Sequence, residues 1–225
     1  YREDVLPEDQ EDHERLLKML DTGRDLVLEI KEFAGFERLT VCACDRHGFL
    51  GEITACLSSE GFDILSAQAY SMDDGRIVDI FNLAPPSRPL IDPHQRMRNI
   101  EAKWARLRQK TTTPEALIRE RLVKYPLEPL RQSGASEPEV FFDNVTSARC
   151  TIVEVRTPDN FGLMHLIAKA MAMLNLDIRA ARLTTRIDIA VDLFYVTDRE
   201  KGKITEEKRL REIADALKAA LKPSA

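Results

Sequence analysis

Asp45-Arg46-His47-Gly48-Phe49-Leu50 and Asp159-Asn160-Phe161-Gly162-Leu163-Met164 open two stretches of this chain that repeat one another. The first runs through Gly61-Phe62-Asp63-Ile64 to Asp79-Ile80-Phe81, the second through Asn175-Leu176-Asp177-Ile178 to Asp192-Leu193-Phe194. The offset is 114 residues at Asp45/Asp159, Gly48/Gly162, Asp63/Asp177 and Ala67/Ala181, and 113 at Asp79/Asp192 and Phe81/Phe194. Loss of one residue between matched strands is what a shortened hairpin produces. Two copies are too few for a solenoid, so the pattern predicts a tandem pair of small domains.

The length, 225 residues, accommodates two such units. A hydrophobic content of 44% and a charged content of 32% suit a protein with a packed core. The net charge of -5 comes from interleaved acids and bases with no long single-sign block, which argues against nucleic acid and against an anionic membrane as partners. No apolar span or signal peptide is evident. Cys42, Cys44, Cys56 and Cys150 show neither C-x-x-C nor Cys/His ligand spacing, so they read as small buried thiols in a reducing cytoplasm. The chain begins at Tyr1 rather than Met, which we read as a segment of a longer protein.

Residues 1–24 are charged, and Leu16, Leu17 and Leu20 predict a short helix ending near Gly23. The first unit, 25–110, opens with strands at Leu26–Ile30 and Leu39–Cys44 and Gly35 in the turn between them. Phe49, Leu50, Ile53 and Leu57 then recur at helical spacing, with Gly61 as the stop. Strands at Ile64–Tyr70 and Ile77–Leu83 are joined by Asp73-Asp74-Gly75, and after Pro85-Pro86 a second helix carries Met97, Ile100, Trp104 and Leu107. Residues 111–137 form a linker with an extra helix over Pro114–Tyr125 and a coil at Gln132–Pro138. The second unit, 138–225, repeats the plan, with Leu163, Met164, Ile167 and Leu174 on its first helix and Leu210, Ile213 and Leu217 on its last.

Each unit therefore reads strand–strand–helix–strand–strand–helix. A βαββαβ domain sets its final strand antiparallel beside its first; here Leu26–Ile30 and Val140–Phe142 are predicted to fill that edge position instead. The fold class is α+β: two ferredoxin-like four-stranded antiparallel sheets, each with two helices on one face. Exposed edges favour pairing of the two copies, within the chain or in a homo-oligomer, with the Asp-x-x-Gly loops near the shared boundary.

The loops at Asp45–Gly48 and Asp159–Gly162 lie where a strand gives way to a helix. Helix starts present unpaired N–H groups and the positive end of the helix dipole, which suit a carboxylate. Gly48 and Gly162 let the backbone turn sharply beside a ligand. Asp45 and Asp159 either receive an ammonium group or cap the local N–H groups. An α-amino acid carries both charges. Asp63 and Asp177, at the next strand, either face that ligand or only end a turn. His47 is either a ligand contact and proton sensor or an exposed turn histidine.

The pattern Asp-x-x-Gly-hydrophobic-hydrophobic, then Gly/Asn-hydrophobic-Asp-Ile, then Asp-hydrophobic-Phe resembles the ACT domain, a small amino-acid-binding module. Phe142-Asp143-Asn144, Thr151–Val155, Thr157-Pro158-Asp159, Thr184-Thr185 and Asp192–Asp198 more narrowly resemble the C-terminal ACT pair of bacterial protein-PII uridylyltransferases, as does the approach through Tyr1 and His13–Leu17. The resemblance implies a parent that attaches UMP to the nitrogen-signalling protein PII and removes it, through a nucleotidyltransferase and an HD-type phosphohydrolase domain, with the ACT pair sensing glutamine. It implies ligand contacts at Asp45, Gly48, Asp159 and Gly162, with His47, Phe49 and Leu163 beside them. The family loop usually reads Asp-Arg-Pro-Gly-Leu-Leu; His47, Phe49, Asn160, Phe161 and Met164 depart from it, and Arg186-Ile187-Asp188 lacks the usual hairpin glycine.

The candidate ligand residues are thus Asp45, His47, Gly48, Phe49, Asp63, Asp159, Asn160, Gly162, Leu163 and Asp177, with no cofactor. No Walker loop, H-E-x-x-H or His-Asp dipeptide occurs, so no catalytic set is expected in this segment. Asp188 and Asp192 alternate with Ile187, Ile189 and Val191, and read as a solvent-facing strand surface rather than a metal site. His165 is expected to point outward, and Trp104 to lie in the core. The alternative to a sensor is a ligand-free dimerisation or interaction module.

Overall fold

A computed structural model describes residues 7–72, 74–85, 92–125, 137–186 and 189–222. Its first half contains α1 (Pro7–Leu20), β1 (Leu26–Phe33), β2 (Phe36–Cys44), α2 (Phe49–Ser59), β3 (Ile64–Ser71), β4 (Arg76–Leu83) and α3 (Pro93–Arg108). α4 (Pro114–Lys124) follows, and then β5 (Glu139–Asp143), β6 (Thr151–Pro158), α5 (Leu163–Met173), β7 (Asp177–Arg182), β8 (Thr185–Arg186), β9 (Ile189–Thr197) and α6 (Glu207–Leu221). Tyr1, Asp73, Pro86, the coil from 132 to 136, and Ile187-Asp188 of the second hairpin lie outside the described residues.

The strands form one antiparallel sheet in the order β1-β2-β4-β3-β7-β9-β6-β5, with the short β8 paired to β9. β1 and β5 occupy the two outer edges, each beside the next strand in the chain. The substitution expected of the leading strands is therefore what the chain does. At the centre, β3 meets β7 with Ala67 opposite Ala181, two residues that hold the same place in the repeat. Ser66 lies opposite Arg182 and Gln68 opposite Ala180. An antiparallel pairing centred on equivalent residues is the isologous contact of a two-fold dimer, here made within one chain.

The helix-covered face of this sheet holds the main core. Leu39, Val41, Ile53, Leu57, Phe81 and Ile100 from the first half are contiguous with Val153, Ile167, Met171, Phe194, Ile213 and Leu217 from the second. α2 and α5 lie side by side across the central junction, and α2 is buried on nearly every side because α4 also packs on it. Trp104 is in this core, edge-on to Phe49 at 5.1 Å between centroids.

α1 departs from the two-helices-on-one-face plan. Leu16, Leu17 and Leu20 pack with Val27, Cys42, Tyr70, Val78 and Ile80, on the opposite face of the first half. Those strands carry apolar residues on both faces, so the sheet needs a second cover. Burying three leucines against it contributes several kcal/mol, at about 1.5–3 kcal/mol each. α6 is likewise more than a solvated helix, since Ile213, Leu217 and Leu221 bury one of its sides. The thiol expectation holds in part: Cys42 and Cys56 are buried, Cys150 is half-buried and Cys44 is exposed. Burial pushes the two interior thiols up to about 12, which keeps them protonated.

Candidate ligand sites between the two units

Both Asp-x-x-Gly loops turn through a left-handed glycine. Gly48 has φ +81° and Gly162 φ +77°, a region that only glycine occupies cheaply. Phe49 N donates to Arg46 O and Leu163 N to Asn160 O, closing the two turns in the same way. The residue at each helix start is the loop glycine, which has no side chain to cap the helix. Phe49 and Leu163 point inward and are buried, anchoring each loop to the core.

The two loops line two separate clefts, each about 400 Å³ in volume. The first cleft contains Asp45, His47, Gly48 and Phe49 together with Asp177, Ile178 and Arg179 from the other half of the chain. The second contains Asp159, Asn160, Gly162 and Leu163 together with Asp63 and Ile64. All ten candidate residues therefore line a cleft, but in crossed sets. Each loop faces the strand start of the opposite repeat, because the central strand pairing turns one copy against the other. This crossing is not visible in either repeat alone.

Two further acids, absent from the candidate set, stand in the clefts. Asp79 lies on β4 in the first cleft and Asp192 on β9 in the second, and both are buried. The sequence places Asp192 on a solvent-facing strand surface, and the structure corrects this. Asp192 shares its strand face with Ala190, Phe194 and Val196, which enter the core. The signal available in the sequence is that Asp79 and Asp192 are matched repeat positions flanked by apolar residues. Burial and the nearby Asp45 carboxylate push Asp79 up to about 8. Burial, against a hydrogen bond from Thr184 N at 3.2 Å, leaves Asp192 at about 7, with Asp159 adding to the rise. Asp177 is also raised, by burial first and then by Asp45, with Arg179 and His47 opposing. Three carboxyl groups thus crowd the first cleft, beside two guanidinium groups and one imidazole. Perturbed titratable groups gathered in a cleft are a marker of a functional site.

The surroundings of the two clefts differ. His47 is exposed at the rim of the first, where the second has the apolar Phe161. Arg46 lies over the Trp104 ring at 4.6 Å and pairs with Glu52, which fixes the first loop against α2 and α3. Near the second cleft, a Cβ at Gly162 would meet Ile118 Cδ1 at 3.1 Å, and one at Gly61 would meet the Arg121 guanidinium. The linker helix α4 therefore packs against the glycines of the second loop and of the turn at Gly61, while a Cβ at Gly48 would meet open space. His165, expected to point outward, is instead buried between α5 and α2. Among the described residues no His/Cys/Asp/Glu cluster could hold a metal, and no helix is long and apolar enough to cross a membrane.

No protein-family model matches the chain. The bifunctional uridylyltransferase/uridylyl-removing enzyme of Rhodopseudomonas palustris is 33% identical over 209 residues, covering 91% of this chain and 22% of that protein. Its counterpart from Bradyrhizobium diazoefficiens is 32% identical with the same coverage. The chain is homologous to a segment of the uridylyltransferase/uridylyl-removing enzymes. It spans about a fifth of the length of these relatives. Among solved structures, aspartate kinase from Synechocystis matches 84% of this chain and 27% of its own at 11% identity and a TM-score of 0.39. A putative glycine cleavage system transcriptional repressor matches 82% of this chain and 90% of its own, at 14% identity and a TM-score of 0.26. At those TM-scores neither match bears on the fold, which rests on the tandem α+β arrangement itself.

Proposed function

We propose that this chain is the amino-acid-sensing regulatory module of a protein-PII uridylyltransferase-like enzyme of nitrogen metabolism, with glutamine the favoured ligand. The observation that carries the reading is the crossed construction of the clefts. Each offers backbone N–H groups at an uncapped helix start for a carboxylate, and aspartates from both repeats for an ammonium group. A volume of about 400 Å³ lies within the range of small-molecule sites.

A ligand in such a cleft touches both units at once. It stabilises the arrangement in which the loops and opposing strand starts are apposed, by its differential affinity for that arrangement. Neighbouring parts of the longer protein would sense the change, and PII would feel it only through the catalytic domains of that parent. In this scheme the chain acts by binding, and catalysis belongs to the other domains of the parent.

Calorimetric titration with glutamine and the other common amino acids tests the reading. Saturable heat with glutamine, abolished by Asp45→Asn combined with Asp159→Asn, is the expected outcome. Absence of heat from every amino acid would leave the alternative, a ligand-free dimerisation or interaction module.

A further inference from the structure

We infer that the sheet face opposite the helices carries a second ligand site, adjoining the first amino-acid cleft through Arg179, for a small phosphate-bearing anion. A basin of about 570 Å³ lies over the β3–β7 junction, where the two halves of the sheet meet. Its charged lining residues are Arg149, Arg179, Arg182 and Lys201, and no carboxylate lines it among the described residues. Four cations converging on one concavity in a chain of net charge -5 is a local concentration, not a reflection of composition.

Three of these cations form no close ion pair, although Arg179 and Lys201 lie near enough to Asp177 to oppose the rise of its carboxyl. Arg179, Arg182 and Lys201 make no salt bridge within the described residues. Like charges held together without counter-charge repel, and an anion between them removes that repulsion.

A second observation comes from an uncharged group. Thr197 lines the basin and is only 4% exposed, and its Oγ1 has no hydrogen-bond partner among the described residues. A buried hydroxyl without a partner is costly, roughly 1–3 kcal/mol, and a rotation of Thr197 toward the basin would let a phosphate oxygen satisfy it. Tyr195 supplies a half-buried phenol to the same wall.

The charge belongs to one copy of the repeat. Arg179 and Arg182 stand where the first copy has Leu65 and Gln68, and Arg149 where it has Gly35. The basin is therefore an addition to the shared scaffold rather than a by-product of it. Arginines suit phosphate because the planar guanidinium donates two parallel hydrogen bonds to it.

The test is titration of the chain with inorganic pyrophosphate, followed by calorimetry and by amide shifts in the β3 and β7 strands. Saturable binding is expected, weakened roughly tenfold by Arg182→Ala with Lys201→Asn. Both positions are exposed, and asparagine tolerates the left-handed backbone of Lys201, so the variant folds. Thr197→Val is expected to weaken binding severalfold with no loss of stability, since it removes an unsatisfied hydroxyl. Gly48→Val, in the amino-acid cleft, is expected to leave pyrophosphate affinity unchanged. Failure of pyrophosphate to bind at millimolar concentration, or binding insensitive to the Arg182 and Lys201 changes, overturns the proposal.

Discussion

His165 and Gly51 hold the same position in the two copies of the repeat, and they are bonded to each other: His165 Nδ1 lies 2.7 Å from Gly51 O. A carbonyl only accepts, so Nδ1 carries the proton and the ring is in the Nδ1–H form. Missing a side chain at Gly51 lets α2 approach α5 closely, for a Cβ there would already sit 3.4 Å from Lys169 N. The histidine fills the space on one side of the pseudo-two-fold that the glycine leaves on the other.

Replacing His165 by alanine removes one bond to the Gly51 carbonyl, which Thr54 Oγ1 still reaches at 3.1 Å, and opens a cavity between the two units. A loss of about 2–4 kcal/mol is expected, read from urea unfolding. Burial lowers the histidine's affinity for protons, with Gly51 O and Glu115 opposing. The unfolded chain therefore binds a proton that the folded chain refuses. Stability is full above the ordinary value of 6.5 and falls as pH drops below it. His13, buried on the inner side of α1 and shifted the same way, adds to the fall. A variant with His165→Gln is expected to flatten the acid limb in part, and an unchanged limb would assign it to other groups.

Asp79 has the opposite linkage. Its folded carboxyl titrates at about 8 against an ordinary 3.8, so it contributes fully below 3.8 and the contribution is lost as pH rises through 8. Asp79→Asn keeps the shape and removes the ionisation. Relative to the parent, the variant is expected to gain stability by up to about 1.4 kcal/mol per pH unit between those limits. Parallel unfolding curves at pH 5, pH 7 and pH 9, with no widening gap, would show that Asp79 ionises freely.

The loop glycines separate binding from folding. Gly48→Val meets open space but forces a β-branched residue into φ +81°, at a cost of roughly 1–3 kcal/mol. The chain is expected to stay folded by circular dichroism and to lose amino-acid heat from the first cleft. Gly162→Val adds a contact with Ile118 and is expected to cost more stability. Equal ligand heats for both variants and the parent would detach the loops from binding.

The repeat made the fold legible because it fixes several distances at once: one spacing located the leading strands, the loop glycines and the apolar helix stripes in both copies. The ten loop and strand-start residues were legible as candidates for the same reason. What escaped the sequence depends on contacts between units. The side chain of His165 reads as outward because a first-turn helix residue usually is, and nothing in the second copy announces that α2 lies against it. The parity of Asp192 is ambiguous because β9 is apolar on both sides, with Val191 and Leu193 on one and Phe194 and Val196 on the other. The crossed clefts follow from Ala67 meeting Ala181, a register that no single repeat encodes.

Assembly of each amino-acid site from both repeats is tested most directly by following backbone amide resonances during titration with glutamine. Gly48 and Arg179, on opposite halves of the first cleft, are expected to shift together along one saturation curve. Shifts confined to the 45–50 loop while the 177–179 strand start stays still would contradict it.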